Sequence, residues 1–215
     1  MRNLLCLLVL LLTSVQETLA APVLGAENPL PEMWPGAVYD PSIPTYEQVL
    51  GYPVGARISR YEDMLRFFTA LQAAAPARLK LIDYGKTWEG RRLVYAVIGN
   101  AETITRLDQI TTDMQRLADP RITDLAAASQ LIASLPASIW LAYGIHGNEI
   151  SSTDAAMLTA YHLLAANAET VSLKVADNSL VFIDPLQNPD GRARFTQHYY
   201  SSVGLQDSPD RISAE

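Results

Sequence analysis

Cysteine is almost missing from this chain of 215 residues: Cys6 is the single example, and it lies in the first apolar segment. Without a second cysteine the chain cannot form an internal disulfide, so its stability must come from a packed core. The same scarcity excludes metal sites built from thiolates, and a bound metal ion would need histidine and carboxylate ligands. Histidine is also rare, with three in the chain, so each one can be considered in turn.

Positive charge is in short supply. Lysine and arginine together number 16 against 23 aspartates and glutamates, which gives a net charge of -7 and a pI near 4.9. No basic stripe stands out, so the sequence argues against nucleic-acid binding. Apolar residues make up 49% of the chain, enough to build a real core. The length fits one sizeable α/β domain, or a domain with an arm.

Long hydrophobic runs are absent apart from Leu4 to Leu12, which is too short to span a bilayer comfortably. Arg2 precedes this run, and Thr18-Leu19-Ala20 follows it as a small-x-small cleavage site. This order predicts a cleaved signal peptide over residues 1–20, with an uncleaved membrane anchor as the alternative. We therefore expect a secreted or periplasmic protein, with no stable membrane insertion after cleavage.

Residues 21–55 are rich in proline, which interrupts regular helices. The prolines are Pro22, Pro29, Pro31, Pro35, Pro41, Pro44 and Pro53. We interpret the stretch as an extended arm that lies on the domain. Trp34, Tyr39 and Tyr46 are the side chains expected to hold it there.

From residue 56 onwards, hydrophobic spacings of the helix and strand types alternate along the chain. The predicted strands cover residues 79–84, 93–98, 137–143 and 180–183. The first predicted helix runs from Ser59 to before Pro76, with Ser59 and Glu62 as a capping box. A second covers 102–117, and after a break at Asp119-Pro120 a third continues to about 134. The last covers 152–166, with Ser152 as its N-cap. This order predicts an α/β fold: a three-layer α/β/α sandwich with a mixed, mostly parallel sheet.

Two loops follow buried strands of this predicted sheet. One covers residues 144–149 and the other residues 184–192. Ligands of open α/β sheets bind beyond the carboxyl ends of parallel strands. If the two strands are parallel, both loops lie on one rim of the sheet.

His146 and Glu149 stand three residues apart in the first of these loops. An imidazole nitrogen and a carboxylate oxygen at this spacing can reach one metal ion, and both are ordinary zinc ligands. Two ligands are too few for a catalytic zinc, which commonly takes three from the protein. On the spacing alone, an exposed ion pair is the more common arrangement.

Three stretches together resemble zinc carboxypeptidases of the M14 type, the carboxypeptidase A-like metallopeptidases. They are "YGKTWEGRRLVYAVIG", "YGIHGNEISSTDAAM" and "IDPLQNPDGRARF". The arm "YDPSIPTYEQVLG" resembles that of a secreted bacterial branch of the family. The resemblance implies that a zinc ion (Zn2+) is bound by His146 and Glu149, and that the substrates are peptides or proteins with a free C-terminus. Residues 56–215 would then be the amino-terminal part of the catalytic domain.

The family pattern also includes groups that we do not find in this chain. A third zinc ligand, a general-base glutamate and an Asn-Arg pair for the terminal carboxylate follow further downstream in the family. The resemblance thus predicts a fold truncated at its C-terminal side and a fragment that is inactive alone. It suggests substrate contacts for Asn188 and Arg192, and Arg211 as the arginine that polarises the scissile carbonyl. Arg194 is expected to be a surface charge, and Glu89 with Arg91 a structural pair.

The other two histidines are weaker candidates for metal binding. His162 lies among apolar residues of a predicted helix, where packing is the common role, and His198 matches no position with a role in the family. Other functions stay open on the same fold. They are a zinc-dependent N-acyl amino acid deacylase, a peptidoglycan-trimming peptidase, and a non-catalytic binding domain.

Overall fold

The computed structural model describes residue 34, residues 36–166 and residues 171–203. The predicted signal peptide lies outside these residues. The helices are α1 (Tyr46–Leu50), α2 (Tyr61–Ala74), α3 (Ala101–Thr105), α4 (Leu107–Ala118), α5 (Leu125–Ser134), α6 (Ile150–Ala165), α7 (Val171–Asn178) and α8 (Pro189–Ser202). The strands are β1 (Leu79–Lys86), β2 (Arg92–Ile98), β3 (Ala137–Ala142) and β4 (Ser179–Asp184). None of the helices within the described ranges has the length and apolar character of a bilayer span.

The four strands form one sheet in the order β1-β2-β4-β3. β3 and β4 are parallel, whereas β1–β2 and β2–β4 are antiparallel. The prediction of a mixed sheet is confirmed, but within the described residues the sheet is not mostly parallel. The reason is the short turn between β1 and β2, since a tight hairpin can only join antiparallel strands.

Helices cover both faces of the sheet, as the predicted three-layer sandwich requires. On one face, α2 and α6 pack on alternate strand residues such as Ala96, Ile98 and Val181. On the other face, α3 and α4 bury Val97 and Leu180. The alternation follows from the pleat, which points successive side chains to opposite faces.

Two helices begin at positions other than those predicted. α2 begins at Tyr61, and the Arg60 N–H donates to Asp63 at 2.9 Å, so the predicted capping box of Ser59 and Glu62 is wrong. α6 begins at Ile150, two residues before the predicted N-cap. Its Ser152 hydroxyl instead accepts a hydrogen bond from the Gly144 N–H at 2.8 Å. In both places, a serine that local spacing predicted to cap a helix instead accepts a hydrogen bond from another part of the chain.

The described part of the arm packs on the domain through aromatic rings. Trp34 stacks on His162 with 4.2 Å between ring centroids, and the Tyr39 hydroxyl lies 3.0 Å from the same imidazole. Tyr46 is buried in the core. The arm is not extended throughout, because α1 forms where prolines are missing between Pro44 and Pro53.

Candidate functional site

The two loops that follow β3 and β4 meet at one rim of the sheet. The Tyr143 N–H donates to the Asp184 carbonyl at 2.9 Å. In return, the N–H groups of Gln187 and Asn188 donate to the carbonyls of Tyr143 and Gly144, each at 3.0 Å. This juxtaposition follows from the parallel pairing of β3 with β4, which brings both carboxyl ends to the same edge.

His146 and Glu149 face each other in the first loop. The imidazole Nδ1 lies 3.0 Å from the Glu149 carboxylate Oε1. Both side chains are open to solvent, with exposed fractions of 70% and 48%. Two ligands held by one tetrahedral zinc at about 2.0–2.2 Å lie roughly 3.3–3.6 Å apart, so the two atoms would have to separate by a few tenths of an ångström to share a zinc ion.

The described residues supply this pair and no third metal ligand beside it, since no group of three or more His, Cys, Asp and Glu comes together there. His162 is buried, and burial lowers the pKa of its imidazole. It packs against the arm, as its apolar neighbours in the sequence had suggested. His198 is exposed on α8. Arg211 lies outside the described residues.

A close backbone contact holds the two loops together. A Cβ atom added to Gly147 would lie 2.0 Å from the Gly191 carbonyl carbon and 2.4 Å from the Arg192 nitrogen. Any side chain at this position would therefore push the loops apart. Gly144 has φ +61°, a conformation that glycine adopts without strain.

Arg192 is buried beneath the loop that carries His146 and Glu149, with an exposed fraction of 1%. Its guanidinium donates to the carbonyls of Gly147, Glu149 and Ile150. It also donates to the carbonyl and hydroxyl oxygens of Ser59, at 3.0 and 3.1 Å. These donors are thus used inside the protein, and the substrate contact suggested for Arg192 stays a prediction.

Asn188 also has a structural position. Its Oδ1 accepts from the Gly191 N–H at 2.9 Å and caps α8, while its Nδ2 donates to the Ile145 carbonyl at 3.3 Å. Both ends of the amide are thus engaged within the protein, and the substrate contact suggested for Asn188 stays a prediction. Residues 184–192 were predicted to form a loop, and α8 was not predicted. Proline at the first helical position was the available signal.

The hairpin turn between β1 and β2 joins the same rim through Asp190. This carboxylate accepts from the Thr87 hydroxyl and from Arg91, each at 2.7 Å, and from the Glu89 N–H at 3.2 Å. Partial burial raises the pKa of Asp190, but the hydrogen bonds from Thr87 and Arg91 outweigh it and hold the pKa below its ordinary value. Glu89 pairs with Arg91, as expected, and also with the exposed Arg194.

A shallow pocket of about 570 Å3 lies where the hairpin meets the second loop. Residues 86–88 and Leu93 form its hairpin side, and residues 187–190 form the other. Asn188 thus belongs both to the pocket wall and to the contact with Ile145, the residue before His146. The pocket and the candidate metal ligands therefore share one rim.

A comparison with models of protein families matches most of this chain to a known family. A sequence model described as zinc carboxypeptidase, peptidase M14, matches residues 64–211, more than half of the chain. No curated protein matches the chain in a sequence search.

Solved structures of carboxypeptidases are similar to the chain at low identity. Carboxypeptidase A from Helicoverpa armigera is 19% identical with a TM-score of 0.45, and the match covers 70% of this chain and 32% of that one. A metallo-carboxypeptidase from Burkholderia cenocepacia is 17% identical with a TM-score of 0.43, and the match covers 71% of this chain and 36% of that one. The chain spans about a third of the length of these proteins.

Proposed function

Since the chain belongs to the peptidase M14 family of zinc carboxypeptidases, we propose that the protein acts as a metallocarboxypeptidase that releases C-terminal amino acids from peptides. His146 and Glu149 are the zinc ligands that this chain supplies. The observation that carries the proposal is the 3.0 Å approach of their Nδ1 and Oε1 atoms at the rim where the two loops meet.

The residues of this chain hold the ligands in place. Arg192 donates hydrogen bonds to carbonyls of the loop that carries His146 and Glu149, which we call the ligand loop. Asn188 of the second loop also donates to the ligand loop. Zinc, when bound, supplies Lewis-acid polarisation of the scissile carbonyl and of an attacking water. Arg211 is the arginine proposed to stabilise the negative charge that develops on that carbonyl oxygen.

The 215-residue chain should bind zinc weakly and should not hydrolyse peptides by itself. Two ligands hold a zinc ion less firmly than the three of an ordinary catalytic site. We expect a zinc dissociation constant weaker than about 1 µM. We expect no release of the terminal residue from an N-acylated dipeptide. Micromolar or tighter affinity together with turnover would contradict this proposal.

Zinc titration calorimetry of ligand variants tests the assignment of the two residues. His146→Ala and Glu149→Gln should each abolish the zinc-binding heat. His198→Ala is the matched control, because this histidine is exposed on α8 and outside the ligand loop. Equal zinc binding by the wild type and His146→Ala would remove His146 from the site.

We also propose that the protein is exported and that its first twenty residues are removed. The apolar run after Arg2 and the Thr18-Leu19-Ala20 site support this proposal. Amino-terminal sequencing of the protein from an expressing bacterial cell should give a chain that starts at Ala21. A mature protein that keeps Met1 would contradict export by this route.

A further inference from the structure

Trp88 at the tip of the β1–β2 hairpin is fully exposed, with a relative accessibility of 103%. The exposed Trp140 differs, because its ring packs against Tyr95 and Phe182. In the part of the chain that the structure describes, Trp88 has no such ring contact. Tryptophan offers a large apolar surface and is common where proteins bind partners or ligands. An indole in this position on a rim is suited to contact a ligand.

The pocket beside Trp88 has the size of a small-ligand site. Its volume of about 570 Å3 lies within the range of ordinary ligand pockets. Leu93 and Pro189 add apolar surface next to the indole. The pocket can therefore accept a large apolar side chain.

Most polar groups of the pocket wall are already engaged within the protein. Asp190 accepts three hydrogen bonds from the hairpin, and both ends of the Asn188 amide are bonded. These residues shape the pocket and have little capacity left for a ligand.

Lys86 is the charged group of the wall that stays available. None of the ion pairs among the described residues involves its ammonium. The charge of Lys86 helps to lower the pKa of the nearby Asp83, but the hydrogen bonds to this carboxylate come from Arg92, at 2.8 Å to each oxygen. In a chain with a net charge of -7, an available cation on this rim favours an anionic ligand.

The hairpin fixes the backbone that carries Trp88 and Lys86 before any ligand arrives. Thr87 and Arg91 flank the tip and are both bonded to Asp190 at the start of α8. Gly90 closes the turn with φ +82°. Because the backbone is fixed in advance, binding needs to order only the two side chains.

We propose that this pocket is a substrate subsite, and that it binds a peptide segment in which a large apolar side chain stands next to a carboxylate side chain. The apolar side chain packs on the indole of Trp88 and on Leu93, while the ammonium of Lys86 pairs with the carboxylate. The inference rests on the proposed peptidase function, since it names the peptides that the enzyme prefers.

The test uses the whole 215-residue chain, with EDTA present to remove zinc. The peptide has an amidated C-terminus, so it lacks the free carboxylate that a carboxypeptidase recognises. The probe is N-acetyl-Asp-Phe-amide, and its neutral counterpart is N-acetyl-Asn-Phe-amide. Binding is followed by the NMR signal of the Trp88 indole N–H, which is identified by its loss in Trp88→Phe. We expect the Asp peptide to bind about two- to fivefold more tightly than the Asn peptide.

Matched variants separate the two contacts. Trp88→Ala should weaken both peptides about three- to tenfold, as measured from backbone amide shifts of residues 86–93. Lys86→Gln should remove the preference for the Asp peptide and leave binding of the Asn peptide unchanged. The controls Trp140→Ala and Lys80→Gln, which lie outside the pocket, should bind both peptides like the wild type.

The subsite is overturned if neither peptide shifts the Trp88 signal, or if the controls lose as much affinity as the pocket variants. Because the probe has a blocked C-terminus and the buffer contains no free zinc, these outcomes do not depend on the proposed catalysis. If the zinc titration showed no binding while the peptides still bound in EDTA, the peptidase proposal would be wrong and the peptide-binding pocket would remain.

Discussion

Arg192 shows how a single side chain can organise the rim from inside. A guanidinium has five N–H donors in a rigid fork, and here they reach the ligand loop on one side and Ser59 on the other. Burial lowers the pKa of the guanidinium, and the negative charge of Asp154 opposes this shift. Arg192 therefore links the segment before α2 with the segment before α6.

Replacing Arg192 by methionine should cost about 3–5 kcal/mol of unfolding free energy, because several buried oxygens lose their donors. Arg194→Met is the control on the same helix. Its side chain is 73% exposed, so its loss should cost less than about 1 kcal/mol. Urea unfolding of both variants measures the difference. Equal stability of the two variants would mean that the buried contacts of Arg192 are not important for folding.

At the scale of elements, the hairpin and α8 are joined by a carboxylate at the start of a helix. Asp190 lies in the first turn of α8, where the helix dipole favours negative charge. It also accepts hydrogen bonds from Thr87 and Arg91 of the hairpin turn. The docking of the hairpin onto the rim therefore depends on this side chain being ionised.

Acid should loosen this docking. The pKa of Asp190 is lowered in the folded protein, so its contribution is complete above the ordinary value of 3.8 and is lost as the pH falls through the lower folded value. At pH 7, Asp190→Asn should cost about 2 kcal/mol of unfolding free energy. The difference in unfolding free energy between the wild type and Asp190→Asn should become smaller below pH 4. Urea unfolding of both proteins from pH 7 to pH 3 measures this difference.

The control for this prediction is Asp108→Asn on α4, whose carboxylate is 96% exposed and contacts Lys80 at 3.6 Å. This change should alter the unfolding free energy by less than about 0.5 kcal/mol at pH 7. A gap between the wild type and Asp190→Asn that stays constant down to pH 3 would argue against a role for the ionised carboxylate.

At the scale of the whole molecule, β3 forms one edge of the sheet. Among the described residues no strand pairs with its outer side, and Ile139 and Trp140 are exposed on it. An open apolar edge is a template for pairing with another chain. We therefore expect this chain to self-associate through β3 at high concentration.

A lysine on the edge should suppress this association. Ser138→Lys adds a charge to β3 and leaves the apolar residues of the strand in place. Sedimentation velocity should show a smaller associated fraction for this variant than for the wild type. Ile132→Lys on α5 is the control, since it removes an exposed apolar side chain away from the strand. Equal association of Ser138→Lys and the wild type would exclude β3 as the contact.

The sequence determined those features that depend on local spacing. Local hydrophobic patterns located the four strands that the structure describes, and the continuous apolar runs of 137–143 and 180–183 indicated the two strands whose loops meet. The spacing of His146 and Glu149 indicated the loop in which we propose that a metal ion binds. Such signals are visible in one sequence because they repeat within a few residues of each other.

Only the tertiary structure decided which polar groups are used inside the protein. Ser59 was predicted to cap a helix but accepts a hydrogen bond from Arg192. Arg192 and Asn188 each donate to a backbone carbonyl beside His146 or Glu149, which their positions in the sequence did not indicate. Local spacing cannot show this, because these partners are separated by dozens of residues or more and meet only after β3 and β4 pair. Burial then determines whether a donor faces solvent or a backbone carbonyl, and burial is a property of the packed chain.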